Sequence, residues 1–134
     1  MKNLQVNLNY NYGYRWYSNN NIKVKGYIFD EKNFLYEKEN LLNYFENINT
    51  EEEFENAISN ANGIFSVIIQ KRKKSIMLAV DKTRTFPLFY IDNENDFIIS
   101  DDTYYLKKNY KNDLDEINSD EFLSLGFVMG KETL

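Results

Sequence analysis

From Gly63 onward the chain breaks into four short apolar runs: Ile64 to Gln70, Ser75 to Val80, Leu88 to Ile91 and Phe97 to Ser100. Turn-forming stretches at Lys71 to Lys74 and Asp92 to Asn95 separate them. Intervals this short leave no room for the crossover helix that a parallel pair needs, so the segment predicts an antiparallel meander. Pro87, the sole proline, stands at the head of the third run, where its fixed φ presets a turn into a strand.

Upstream the pattern is mixed. Leu4, Val6 and Leu8 share one face, and Tyr10, Tyr12, Tyr14 and Trp16 continue the period of two, which predicts a strand or hairpin. Such an aromatic stripe can present itself to a partner or a sugar, but the reading taken here is a sheet face packed on the core. Asn19 to Asn21 mark a turn, and Ile22 to Phe29 is rich enough in β-branched and aromatic residues for a second strand. Leu41, Leu42, Tyr44 and Phe45 then fall at helical spacing. Thr50 with Glu53 makes a capping box that opens a second helix, with Phe54, Ala57, Ile58 and Ala61 inward. Glu51, Glu52 and Glu53 complement the dipole of that helix; adjacent helical positions diverge too far to act as a metal cluster. Beyond the meander, a short helix is predicted from Asp102 to Lys107, and Ser119 is read as the cap of a last helix over Asp120 to Leu125, ended by Gly126. No repeat or linker divides the chain. The expectation is one α+β domain over residues 1–134 with a mainly antiparallel sheet.

Composition narrows the chemistry. The 134 residues include no cysteine and no histidine, which removes disulfides, thiol catalysis, imidazole bases and zinc sites of the usual kinds. Neither a metal nor a cofactor is expected. A formal net charge of -5 disfavours a nucleic-acid partner, whose phosphates require clustered cations. Lys71, Arg72, Lys73 and Lys74 form the one dense cationic run, and its place in a predicted hairpin turn reads as a solvated loop. No apolar run approaches the length that spans a bilayer, and the N-terminus lacks the apolar core of a signal peptide, so a cytoplasmic protein without membrane contact is expected.

A set of spaced residues carries a resemblance. Asn62, Gly63, Phe65 and Ser66 are followed by Asp81, Lys82, Pro87, Leu88, Phe89 and Tyr90, then by Ile98, Ile99, Ser100 and Asp101, and last by Leu123, Gly126, Phe127, Val128, Gly130, Thr133 and Leu134. In register and spacing this resembles the amidotransferase domain of asparagine synthetases, a class II glutamine amidotransferase of the N-terminal nucleophile hydrolase type. The resemblance covers about half the chain. It implies two stacked antiparallel sheets between helices, an αββα layering, here in reduced form. Phe65, Leu88 and Phe89 read as core within it, and Asp81 and Arg84 as a local ion pair at a strand-to-turn corner. Arg84 stands where the family has glycine.

The same resemblance implies a lost activity. The family's nucleophile is an N-terminal cysteine, whereas this chain begins Met1, Lys2 and has none. The family segment that shapes the oxyanion hole from an Asn side chain and a Gly amide is similar to Lys25, Gly26, Tyr27, Ile28, Phe29 and Asp30. Gly26 is kept, and Lys25 replaces the Asn. Lys25, Gly26 and Asp30 are therefore the expected lining of a vestigial pocket, with no catalytic residue. The function implied is that of a non-catalytic amidotransferase-like domain serving an ATP-dependent synthetase domain, in cis or in trans, as structural or gating partner. Relatives with a dead glutaminase occur among peptide-modifying synthetases, and a self-associating chain is compatible with this reading. The alternative is a free-standing module that binds protein or ligand through the Tyr10 to Trp16 face.

Overall fold

The structure, a computed structural model, describes residues 2–72, 75–110 and 116–125. In chain order the elements are β1 (Asn3–Asn7), β2 (Tyr17–Ser18), β3 (Ile22–Phe29), β4 (Leu35–Glu37), α1 (Glu39–Glu46), α2 (Glu51–Asn60), β5 (Asn62–Arg72), β6 (Ser75–Val80), β7 (Phe89–Asp92), β8 (Asp96–Ser100), α3 (Thr103–Asn109) and α4 (Glu116–Leu125). The chain divides into two compact units, Met1–Thr103 and Tyr104–Leu134.

The first unit holds two sheets flanked by helices, the expected α+β class with antiparallel pairing dominant. The larger has five strands in the order β2-β3-β5-β6, with β4 also pairing β3, all antiparallel. One face collects Ile22, Val24 and Ile28 of β3 and Phe65, Val67 and Ile69 of β5. Leu41, Leu42 and Phe45 of α1, Ile48, and Phe54 of α2 pack in the same cluster. Ala57, Ile58, Met77 and Ala79 lie half-buried against it. The period-two alternation of β3 and β5 thus meets the helical spacing of α1 and α2, each hiding its apolar stripe on the other. The opposite face is not solvated: Lys25, Ser66 and Ile68 are buried as well, so β5 is covered on both sides.

The smaller sheet has the order β1-β8-β7. Its middle strand buries Ile98, Ile99 and Ser100 in succession, again the mark of a strand covered on both faces. β7 pairs β8 antiparallel, but β1 pairs β8 in parallel, Asn3 opposite Asp96 through Asn7 opposite Ser100. A parallel partner requires a long connection, and here the whole larger sheet lies in between.

The expected meander is therefore corrected. β5 and β6 form a hairpin in the larger sheet and β7 and β8 one in the smaller, so residues 81–88 are a corner between sheets rather than a turn within one. The expected strand through Trp16 is corrected too. β1 stops at Asn7, and residues 8–16 run irregularly. The physical reason is that Asn9, Tyr10 and Trp16 spend their donors on a side chain, Asp101, and not on a ladder. β4 was not foreseen.

Both helices of the first unit lie where periodicity places them. Thr50 accepts from Glu53 N–H while the Glu53 carboxylate accepts from Thr50 N–H, the foreseen capping box. In the second unit, α3 buries Leu106 and pairs the rings of Tyr105 and Tyr110 at 6.4 Å. α4 begins at Glu116, so Ser119 lies inside the helix and is not its cap. Gly126, Phe127, Val128, Gly130, Thr133 and Leu134, and Lys73 and Lys74 of the basic turn, lie outside the described residues. Among the described residues no helix is long and apolar enough to cross a membrane.

Candidate functional site

Three features meet where the two sheets are tied together. The first is the corner after β6. Asp81 is buried, and its carboxylate accepts from Phe65 N–H (3.3 Å), Thr85 N–H (3.1 Å), Thr83 N–H (3.1 Å), the Thr83 hydroxyl (2.6 Å) and the Thr85 hydroxyl (3.0 Å). Burial pushes its pKa up, but the donors of Thr83 and Thr85 outweigh it and hold the carboxyl below the ordinary aspartate range. The expected Asp81–Arg84 ion pair is absent among the described residues. The threonines saturate the carboxylate, and Arg84 is exposed with φ +53°, its N–H given to the Asp81 carbonyl (2.9 Å). That left-handed conformation is one a glycine would adopt without cost. Next to it, the Ser66 hydroxyl donates to the Phe86 carbonyl. Phe65 lies in the core and Leu88 is half-buried. Phe89 is exposed, which corrects its reading as core, and Tyr90 is exposed and stacked on Phe97 at 5.6 Å.

The second feature is a pair of buried charges. Lys25 is only 4 % exposed, and its ammonium donates to the Tyr10 carbonyl (2.6 Å), 5.0 Å from the centre of the Phe86 ring and 5.7 Å from that of Trp16. Desolvation lowers its pKa, and the charge of Asp101 opposes that shift without cancelling it. Asp101, at the end of β8, accepts from Asn9 N–H (2.7 Å), Tyr10 N–H (3.1 Å) and the Trp16 indole (2.8 Å). Lys25 from the larger sheet and Asp101 from the smaller thus grip the same segment, one at its carbonyl and the other at its amides.

Glycines let the backbone close over this point. Gly26 has φ +94°, and a Cβ there would fall within the Ile64 carbonyl and 3.0 Å from the Phe86 ring. Gly63 has φ +156°, and a Cβ would strike the Tyr27 carbonyl. Asn62, next to it, is the exposed first residue of β5, opposite Phe29.

The third feature is a cleft of about 290 Å³ lined by Gly13, Tyr14, Arg15, Tyr17, Gly26, Glu37 and Lys38. Tyr14 is fixed by ring contacts to Phe86 (5.5 Å) and Tyr27 (6.0 Å), and Lys38 takes φ +55° just before α1. Of the three residues expected to line a vestigial pocket, only Gly26 does so. Lys25 is turned away onto Tyr10. Asp30 serves the β3–β4 turn, accepting from Lys32 N–H (2.9 Å), Phe34 N–H (2.9 Å) and the Tyr36 hydroxyl (3.3 Å). Arg15, Tyr17, Glu37 and Lys38 were not foreseen, because no pattern in the sequence marks residues that meet only through tertiary folding. Lys25 shares its face of β3 with Lys23, and nothing in the sequence marks which of the two is buried. Tyr12 is 88 % exposed, and Tyr10 and Tyr14 are exposed too, so the aromatic stripe is not a sheet face packed on the core.

Compared with protein-family models, with curated proteins and with solved structures, the chain matches none.

Proposed function

We propose that this chain is a non-catalytic glutamine amidotransferase-like domain of an asparagine synthetase-related protein, which packs against an ATP-dependent synthetase domain and stabilises or gates it. One observation carries the reading: the two segments with the strongest resemblance, 62–66 and 81–90, are joined to each other. Phe65 N–H binds Asp81, and the Ser66 hydroxyl binds the Phe86 carbonyl. Their residues thus act as scaffold, the role proposed for what the chain retains. The αββα layering is supported by β5 and β8, each buried on both faces, since a strand so covered needs a layer on either side. Loss of activity is supported by the missing cysteine and by the engagement of Lys25 with Tyr10, which withdraws that ammonium from any oxyanion. This proposal is tested by translating the reading frame past codon 134. A synthetase signature S-G-G-x-D-S is expected, and an immediate stop codon would overturn the reading. Ammonia released from glutamine by the purified chain would overturn its non-catalytic part.

A second reading is favoured by one specific observation, the exposed rings of Tyr10, Tyr12 and Tyr14, the last of which lines the cleft. Exposed tyrosines with asparagine and glycine between them suit a binding loop. In that case the chain is a free-standing module, and Tyr12→Ala abolishes capture of its partner while leaving stability unchanged.

A further inference from the structure

The cleft lies at a break in the larger sheet. β5 pairs with β3 along its whole length, Ile22 to Phe29, so β2 and β4 share the opposite edge of β3. β2 takes Lys23 and Val24, β4 takes Tyr27, Ile28 and Phe29, and Lys25 and Gly26 are left between them with no strand beside them on that edge. Gly26 is buried in this gap, and among the described residues no backbone bond reaches it from that side. Tyr17 stands where β2 begins and Glu37 where β4 ends, while Arg15 and Lys38 lie just outside the two strands. A gap in a ladder lets a ligand reach the backbone, and a glycine lets it come close.

The lining is mixed in a particular way. Arg15 and Lys38 can only donate, Glu37 can only accept, and Lys38 lies 3.5 Å from Glu37. Arg15 is in no ion pair among the described residues. A cation would meet Arg15 and Lys38, and an anion would meet Glu37, but neutral hydroxyls donate and accept at once and can use all three. The remaining side chains are the rings of Tyr14 and Tyr17, with no aliphatic side chain among them. A ring face is the negative pole of the aromatic quadrupole and attracts the slightly positive C–H groups of a partner laid on it. Hydroxyls at the rim and C–H groups on the face describe a sugar ring. The volume, about 290 Å³, is at the small end for a ligand site and suits a single such ring. Tyr14 is already held by Phe86 and Tyr27, so binding need not order it.

We propose that the cleft is a binding site for a neutral sugar ring, which lies against the tyrosine faces with its hydroxyls bonded to Arg15, Glu37 and Lys38. This rests on the cleft alone and not on an attached synthetase domain.

The test is titration of the nitrogen-15-labelled full chain with the methyl glycosides of glucose, galactose, mannose and N-acetylglucosamine, followed by amide chemical shifts. At least one should move Gly13, Gly26 and Lys38 to saturation with a dissociation constant of about a millimolar, as a ligand this small implies. Glycerol, with hydroxyls but no ring, and sodium benzoate, with a ring and a charge but no hydroxyl, should leave these amides unmoved at the same concentrations. The side chains of Arg15 and Glu37 reach solvent, so Arg15→Ala with Glu37→Gln should keep the fold by circular dichroism while weakening sugar binding at least about tenfold, as loss of one or two net hydrogen bonds implies. Tyr14→Leu keeps bulk against Phe86 and Tyr27 but removes the ring face, and binding should fall by a similar factor. The proposal is overturned if none of the four glycosides moves these amides, if benzoate moves them to saturation, or if the double variant binds the sugar as well as the native chain does.

Discussion

Replacing Asp81 by Asn keeps the shape of the side chain but turns one acceptor oxygen into a group that can only donate. In the folded chain Oδ1 receives Phe65 N–H and Thr85 N–H, while Oδ2 receives Thr83 N–H and both threonine hydroxyls. Hydroxyls can rotate and accept, so the less damaging orientation sets the new amide nitrogen at the Oδ2 position, where only Thr83 N–H is a partner that cannot accept. That loses the Thr83 N–H bond and leaves the buried Phe65 N–H and the Thr85 N–H bonded to a neutral oxygen in place of a charged one. At about 1.5 kcal/mol for the lost bond and about 1 kcal/mol for the lost charge at each of the other two, the cost is about 3–4 kcal/mol. For a chain of this size the melting temperature should fall by about 10 °C. Urea unfolding followed by Trp16, the single tryptophan, measures the difference directly. The pH dependence is a second check. The Asp81 carboxyl is held below its ordinary value of 3.8, so its contribution is whole above that pH and is lost as the pH falls through the folded value. The gap between the native chain and D81N should therefore stay level from neutral pH down to about 4 and shrink below it. A gap under about 1 kcal/mol at neutral pH would refute the reasoning, because then the corner does not depend on these hydrogen bonds.

Three further outcomes follow from the same geometry. Arg84→Gly should raise stability by about 0.5–1 kcal/mol in urea titration, by relieving a left-handed φ without removing a contact. Gly26→Ala should cost more than about 3 kcal/mol or prevent folding, read by soluble yield and circular dichroism, since its Cβ meets backbone rather than a flexible side chain. Lys25→Met should change the pH profile. The depressed pKa of Lys25 means the unfolded chain holds that proton more tightly, so its contribution rises as the pH climbs through the folded value toward 10.5. The native chain should gain on K25M over that alkaline interval, measured by urea midpoints.

The parts of the fold legible in the sequence are those set by neighbours along the chain. The Thr50 capping box, the helical faces of α1 and α2, and the β3, β5 and β6 strands are written in local spacing and local hydrogen bonds. What was illegible depends on distant partners. Residues 8–16 alternate like a strand but become a strap, because Asp101 and Lys25 capture their backbone from more than a dozen residues away. The four-strand run splits because Asp81 and its threonines form a corner that no periodicity marks. Of the candidate site, Gly26 was expected only through the resemblance to an oxyanion-hole segment, whereas Arg15, Glu37 and Lys38 reach the cleft only through tertiary packing.

The parallel seat of β1 beside β8 has a consequence for synthesis on the ribosome. Leu4 and Val6 leave the exit tunnel well before their neighbours Phe97 and Ile99, which are made more than ninety codons later, and at roughly 5–20 residues per second that is a wait of several seconds. Until then the leading strand has no native place to go. The larger sheet and its two helices, complete by Val80, can form during that delay. β1 is thus among the last pieces of these sheets to be locked in.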